Sequence, residues 1–412
     1  MTAVKLLVIS PDVVDSRMAG PGIRSWELAR ALVPHASVTL ATPNTCSLAD
    51  SGITIQSYGS DGAALKRLVE QSDVVLMQGF VLHDFPFVKE IDQPLIVDIY
   101  DPLVIENLEA HDFRSMAERH NVHNRDLAVI VEQLSVGDFF ICANERQRDY
   151  WMGMLSATGR INPYNYRFDR SLRKLIDVVP FGLSDGVPQL TRPVLKGVRS
   201  GIGANDRLVI WGGGIWPWLD PLTLIQAMKV ITTEHKDVKL FFMGNEHPNP
   251  DIAAVLGNSL HAHAVRLSKD LGLYNKTVFF NDRWVPYGDR HNCLLEADIG
   301  VCLHQNFIEM RYAYRTRYLD YVWCGLPIIA SLGDSWSKVV EEFGLGKVVA
   351  NKSVDQVVAA LNEMLAIPNL REAYGPRFAK VREKLSWHQA VRPLVDFLSN
   401  PRKAPDKLAQ AN

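Results

Sequence analysis

RLVIWGGGIWPWLDPLTLIQAM, residues 207–228, decides the fold of this chain. Arg207–Gly212 is a short apolar run with no polar face, the pattern of a strand covered on both sides. Three glycines (Gly212, Gly213, Gly214) end it. Asp220 then precedes Pro221, which suits a helix N-cap with proline in the first turn, and an apolar helical pattern follows. A glycine loop between strand and helix lets the backbone approach a ligand, and its free N–H groups favour an anion. The loop lacks both the GxGxxG spacing and the Lys-Ser/Thr of a P-loop, so neither a dinucleotide site nor an NTPase is expected.

The same grammar extends in both directions. Upstream, the apolar runs are KLLVIS (5–10), SVTLAT (37–42), ITIQSY (53–58), DVVLMQ (73–78), LIVDIY (95–100) and FFICAN (139–144). Downstream they are VKLFFMG (238–244), TVFFN (277–281), DIGVCLH (298–304), LPIIAS (326–331) and GKVVAN (346–351). Helical patterns lie between them, as in GIRSWELARALVP (22–34). This alternation predicts an α/β protein of two doubly wound, Rossmann-like domains with parallel sheets. The expected boundaries are 1–183 for the first domain, 184–205 for a Gly/Pro/Ser-rich linker and 206–385 for the second domain. A helix over 386–400, begun by SWHQAV, is expected to return to the first domain, and 401–412 reads as a flexible polar tail. Ligands of such sheets bind at the carboxyl ends of the strands, so each motif there is a candidate.

Composition narrows the function. With 412 residues, 47% of them hydrophobic, the chain can bury two ordinary cores. A formal charge of −2 argues against a nucleic-acid binder dominated by phosphate contacts. Five scattered cysteines without CxxC spacing read as free thiols in a reducing compartment. No apolar segment approaches the roughly 18 residues of a membrane span. The expectation is a cytoplasmic protein, at most peripheral at the inner face of a membrane.

In the first domain, Gly22 stands in the GPG that opens a helix, and Arg24 lies in the first turn, where the helix dipole disfavours a cation unless it meets an anion. Asp98 and Asp101 end the fifth run; Asp98 is a candidate for sugar hydroxyls, and Asp101 before Pro102 also fits an N-cap. His83 follows the fourth run and is a candidate for lining a site. In the second domain, Trp216 and Trp218 sit in a loop, covering either a ligand or a packing surface. Arg283 and Trp284 follow TVFFN, where a nucleotide base can stack on an aromatic ring. The densest segment is LHQNFIEMRYAYRTRYLDYVWCGLPIIAS (303–331). It brings Glu309, Arg311, Arg315, Arg317 and Asp320 to the mouth of one strand and the start of one helix. Arg317 and Asp320, three apart, share a helical face. Arginines at a helix start incur a dipole penalty that an anion offsets.

These residues together resemble a GT-B glycosyltransferase, similar to glycosyltransferase family 4. The resemblance rests on the glycine loop after the first strand, Val179–Gly182 (VPFG), the GGG loop, EADIGVCLH and RTRYLDYVWCGLPIIAS, and it spans nearly the whole chain. It implies two domains facing across a cleft and transfer of a sugar, with retention, from a nucleotide diphosphate sugar to an acceptor hydroxyl. It implies that Asp320 holds the ribose, Glu309 contacts the donor sugar and Arg317 lies near the diphosphate; with no base in WPWLDP, Arg315 and Arg317, or these with Arg283, are the expected suppliers of positive charge. Gly213, Gly214, Arg283, Trp284 and Gly22 are then donor-binding candidates, and Arg24, Asp98 and His83 acceptor-binding ones. The chain departs from the family in two places. Glu309 and Asp320 are more widely spaced than the family's pair of glutamates, and WPWLDP supplies no base where the family has Arg…Lys.

The expected role is glycan or glycoconjugate biosynthesis at the cell surface, with a glycan or lipid-linked acceptor. No Asp-x-Asp occurs, so no metal or other cofactor is expected. A sugar-nucleotide epimerase or pseudo-glycosyltransferase of the same fold, and a non-catalytic nucleotide-sugar-binding protein, are the alternatives. Residues 150–174 interleave aromatic and basic side chains (Trp151, Met152, Met154, Leu155 and Tyr164 with Arg160, Arg167, Arg170, Arg173 and Lys174). They read either as an anionic-membrane contact or as an ordinary helical excursion.

Overall fold

The computed structural model describes residues 3–410, except 112–113, 185, 245–246 and 258. The chain forms two compact units: one runs up to Gly182 and resumes from Trp387, and the other is Leu183–Ser386. The first unit is built on seven parallel strands: β1 (Lys5–Ile9), β2 (Ser37–Thr42), β3 (Ile53–Ser57), β4 (Val74–Gln78), β5 (Leu95–Asp98), β6 (Phe139–Cys142) and β7 (Ile176–Val178). Their order is β3-β2-β1-β4-β5-β6-β7. β4 is buried at every residue, as are β5 and β6, as the unbroken apolar runs predict. β7 escapes the sequence reading because it has only three residues and two are half-buried.

The second unit has six parallel strands: β8 (Arg207–Trp211), β9 (Val238–Phe242), β10 (Val278–Phe280), β11 (Ile299–Cys302), β12 (Ile328–Ser331) and β13 (Gly346–Val349). Their order is β10-β9-β8-β11-β12-β13. The strand order therefore reverses between β8 and β11, which pair through Ile299↔Val209 and Gly300↔Ile210. That switch point opens a crevice at the strands' carboxyl ends. Asp220 caps the Pro221–Glu234 helix as expected, its carboxylate accepting from the Thr223 amide at 3.1 Å. Asp101 does not cap the next helix of its domain: Pro102 stands at that N-cap, without a side-chain bond.

Residues 184–205, expected as a linker, are fastened to the second unit. Asn292 accepts from the Thr191 amide at 2.9 Å, and Glu296 accepts from the amides of Val194 and Leu195 at 2.9 and 2.7 Å. Leu195 and Ile202 are buried. Weak periodicity hid this packing because the anchors are backbone groups and two isolated side chains.

The polar tail is likewise docked rather than frayed. Pro405–Gln410 is a helix, and Asp406 is paired with Arg160 at 2.7 Å. Asp138 accepts from the Ala404 amide and from Lys407, both at 3.0 Å. Internal pairing, not hydration, absorbs the tail's charge; residues 411–412 lie outside the described residues. Before it, the Arg392–Ser399 helix stacks Phe397 on Phe139 at 5.0 Å, and Trp387 packs against Phe181.

The aromatic and basic segment 150–174 divides by helical spacing. Trp151 and Leu155, one turn apart, belong to the core of the first unit. Arg160 points inward, donating to the carbonyls of Leu134 (2.7 Å) and Gly137 (2.8 Å) as well as to Asp406. Only Tyr164, Tyr166 and Phe168 remain as large exposed apolar rings. Of the two readings, the core placement of Trp151 and Leu155 and the inward Arg160 follow the ordinary helical excursion, and the exposed rings are confined to the short Pro163–Phe168 helix. No helix among the described residues is long and apolar enough to cross a membrane.

Candidate functional site

The site grows from the end of β8. Gly212–Gly214 leaves the strand at the switch point, and Gly213 has φ +76°, a conformation L side chains rarely adopt. A Cβ at Gly213 would meet nothing within 4 Å, so this residue faces open space. The loop's carbonyls are used inside the protein. Gly213 accepts from the Gly244 amide at 3.2 Å, and Gly214 accepts from Trp211 Nε1 at 3.1 Å and Arg317 Nη2 at 3.2 Å. Among the described residues none accepts from the Gly213 and Gly214 amides. Gly213 is half-exposed while Gly214 is buried against the Trp216 ring; a loop with its carbonyls tied down and amides without acceptors is suited to cradle an anion.

Arg317 begins the Arg317–Cys324 helix and lies against this loop, its guanidinium 5.0 Å from the centre of the Trp211 ring. Its Nη1 is buried and without a hydrogen-bond partner among the described residues. A guanidinium half engaged by the loop and half unengaged is suited to a phosphate oxygen. One turn on, Asp320 is bound to Arg290 at 2.8 Å, leaving its side chain 34% exposed. Arg290 is held in turn by stacking on Tyr287 (3.6 Å) and Trp323 (4.6 Å) and by donating to the Tyr287 carbonyl at 2.6 Å. Sequence reasoning missed Arg290. Its only signal was its position one residue after Asp289 in the YGDRH segment, where nothing distinguishes it from a solvated cation.

Glu309 and Arg315 are placed differently from the expectation. Glu309 is not free in a loop: it is 2% exposed, and its carboxylate accepts from Arg315 Nη2 at 2.7 Å. Arg315 also lies 3.9 Å from Asp334, which is 3.5 Å from His304. Burial opposes the Arg315 charge, but Glu309 and Asp334 raise its pKa, so it remains a cation within this group. Its charge is spent on protein carboxylates and is not presented to a diphosphate. Arg311 is exposed at the end of a short 3-10 turn, Ile308–Arg311.

Three aromatic rings cluster at the neighbouring strand ends. Trp216 lies 5.6 Å from His247 and 6.2 Å from Trp284, with an interplanar angle of 28° to the latter. All three are half-buried. The Trp216–Trp218 loop is fixed from below, since Trp218 accepts from the Gln305 amide at 3.0 Å and Leu219 bridges to His304. Partly wet indoles on a fixed loop form a stacking face suited to a planar base. Arg283 is exposed beside them, and its backbone carbonyl accepts from Asn281 at 2.6 Å.

The first-domain candidates do not gather into a site. Arg24 and Asp98 are fully buried and bonded to each other. Arg24 also donates to the Val179 carbonyl at 2.9 Å and lies between the rings of Tyr100 (4.9 Å) and Phe181 (4.7 Å). Acceptor contact by either residue is therefore corrected to an internal ion pair. Gly22 is demanded by the protein's own loop, since a Cβ there would lie 2.2 Å from the Val13 carbonyl oxygen. His83 is exposed, in the short Val81–Asp84 helix.

Residues 199–381 match the family described as Glycosyl transferases group 1, a little under half of the chain and all within the second unit. No curated protein matches the chain in sequence. Among solved structures, the chain is similar to sucrose-phosphate synthase from Thermosynechococcus elongatus, with TM-score 0.64, 14% identity and coverage of 99% of this chain and 100% of that one. It is similar to an alpha,alpha-trehalose-phosphate synthase (UDP-forming) from Burkholderia vietnamiensis, with TM-score 0.62, 12% identity and coverage of 96% and 99%. It also resembles HepE of Anabaena in complex with UDP-glucose, with TM-score 0.62, 12% identity and coverage of 96% and 99%. At such identities the likeness is one of fold. The protein therefore has the fold of the GT-B glycosyltransferases, two Rossmann-like domains, and residues 199–381 of its second unit are similar to the glycosyl transferases group 1.

Proposed function

We propose that the protein transfers a sugar from a nucleotide diphosphate sugar to an acceptor hydroxyl. The observation that carries this is the Gly212–Gly214 loop at the β8/β11 switch point, with two amides from which no described residue accepts and the half-engaged guanidinium of Arg317 beside them. The match of residues 199–381 to glycosyl transferases group 1 supports it. So does the similarity to HepE of Anabaena, whose structures are complexes with UDP and with UDP-glucose. In this reading the diphosphate lies on the Gly213 and Gly214 amides and Arg317. The base stacks on Trp216 or Trp284 near Arg283, and Asp320, steadied by Arg290, takes the ribose hydroxyls. As the glycosidic bond breaks, negative charge grows on the leaving diphosphate, and preorganised amides and a cation stabilise it. Neutralisation of that charge is assigned to the protein, with no metal. Retention, and a glycan or lipid-linked acceptor, complete the proposal. Peripheral membrane contact enters it only through Tyr164, Tyr166 and Phe168.

A second reading, a non-catalytic nucleotide-sugar-binding protein, is favoured by one observation: Glu309, the carboxylate expected at the donor sugar, is closed off by Arg315. Thermal-shift screening with UDP-, GDP-, dTDP- and ADP-sugars tests binding, because a bound ligand raises stability by mass action. Nucleotide release with acceptor extracts then separates the readings. Acceptor-dependent release supports the transferase. A thermal shift without release supports the binder, interconversion of donors without acceptor supports an epimerase, and no shift with any donor sinks all three.

A further inference from the structure

We infer that Tyr321 is a positioning residue: its buried hydroxyl fixes the shape of the Gly212–Gly214 loop and through it the affinity for the donor's phosphates. This inference rests on the donor-site reading above. Tyr321 lies on the Arg317–Cys324 helix and is 0% exposed. Its hydroxyl accepts from the Gly212 amide at 2.8 Å and donates to the Val301 carbonyl at 2.8 Å, with the Ile210 carbonyl at 3.4 Å. The hydroxyl's one proton goes to the Val301 carbonyl, with the longer Ile210 contact sharing it, and one of its lone pairs takes the Gly212 amide. The three backbone groups belong to the carboxyl ends of β8 and β11 and to the first residue of the loop. A single oxygen thus ties together both strands of the switch point and the loop that leaves it.

The ring occupies a slot that two glycines leave open. A Cβ at Gly212 would come within 3.1 Å of Tyr321 Cε1, and one at Gly300 within 2.9 Å of its Cγ. Arg317, one helical turn earlier, holds the other end of the loop through the Gly214 carbonyl. The helix therefore holds the loop at both ends, and between them the half-exposed Gly213 amide has no acceptor among the described residues. Burial pushes the Tyr321 hydroxyl's pKa up, so it stays protonated and the clamp persists at working pH. Without the hydroxyl, the Gly212 amide is a buried donor with no partner. The loop then relaxes toward other conformations, and phosphate binding must reorder it.

Tyr318 provides the internal control. It is on the same helix and equally buried, but its hydroxyl donates to the Cys302 carbonyl at 3.4 Å and does not touch the loop. Wild type, Tyr321→Phe and Tyr318→Phe are titrated calorimetrically with UDP, GDP, dTDP and ADP, with Tm recorded for each. Tyr321→Phe is expected to lose roughly tenfold in affinity for the nucleotide that wild type binds. Tyr318→Phe is expected to keep wild-type affinity even where its Tm falls. Equal affinity of wild type and Tyr321→Phe, or equal loss in both variants, overturns the inference. No binding by wild type overturns the donor-site reading and this inference with it. Amide hydrogen exchange on wild type needs no variant: Gly212 is expected to exchange as slowly as the β8 amides, and fast exchange overturns the clamp.

Discussion

Arg317 and Asp98 are both charged residues at the ends of elements, equally plausible in sequence as ligand contacts, and they differ completely in use. Arg317 has a buried nitrogen without a partner among the described residues, next to loop amides from which none of the described residues accepts. Arg317→Ala is expected to cut turnover by roughly a hundredfold, about 2.7 kcal/mol of transition-state stabilisation. Steady-state kinetics at saturating donor checks it, and wild-type turnover in the variant contradicts the assignment. Asp98, by contrast, is locked to Arg24 in the core of the first unit. Removing one partner of a buried pair leaves an uncompensated charge, so Asp98→Ala is expected to destabilise by about 3–5 kcal/mol. Denaturant unfolding measures this, and a loss of acceptor affinity at unchanged stability contradicts it. Sequence placed both residues at strand or helix ends, where a ligand could be met. It could not show whether another side chain met them first. Glu309 and Arg315, six apart, were read as separate agents for the same reason, and the 2.7 Å contact between them is visible only in three dimensions.

At the scale of elements, what was legible were the strands buried on both faces and the Asp220 cap. The glycine loop could be placed as well, because its position follows from the strand before it and the helix after it. The elements that escaped are held by polar contacts rather than by an apolar period: three-residue β7, the fastened 184–205 segment and the docked tail. The tail yields a pH prediction. Burial works against ionisation of Asp406, but hydrogen bonds and charge from Arg160, with Asn162 and Asn165, outweigh it and lower its pKa. A carboxylate lowered in the folded state stabilises fully above its unfolded pKa and loses that contribution as pH falls through the folded value. Asp406→Asn is therefore expected to lower Tm at neutral pH. Its deficit relative to wild type should shrink in acid, below the ordinary aspartate range. A deficit that stays constant, or grows, as pH falls counts against the docked tail.

For the whole molecule, the restart of strand–helix alternation after residue 206 is enough to read two Rossmann-like domains, and the structure shows the same order of the first strands in both sheets. Reading the site requires more, since it depends on which residues of one unit converge. Gly213, Gly214, Arg317 and the Trp216–Trp284 pair do so around the β8 end. The first-domain candidates Gly22, Arg24 and Asp98 are absorbed by internal packing. The central claim is that the second unit holds a nucleotide diphosphate on the glycine loop and Arg317. A crystal structure of the protein soaked with whichever of UDP, GDP, dTDP or ADP raises its Tm most tests this directly. The account predicts phosphate oxygens within hydrogen-bond reach of the Gly213 and Gly214 amides and of Arg317, with the base against Trp216 or Trp284. A nucleotide bound elsewhere, with this loop empty, contradicts it.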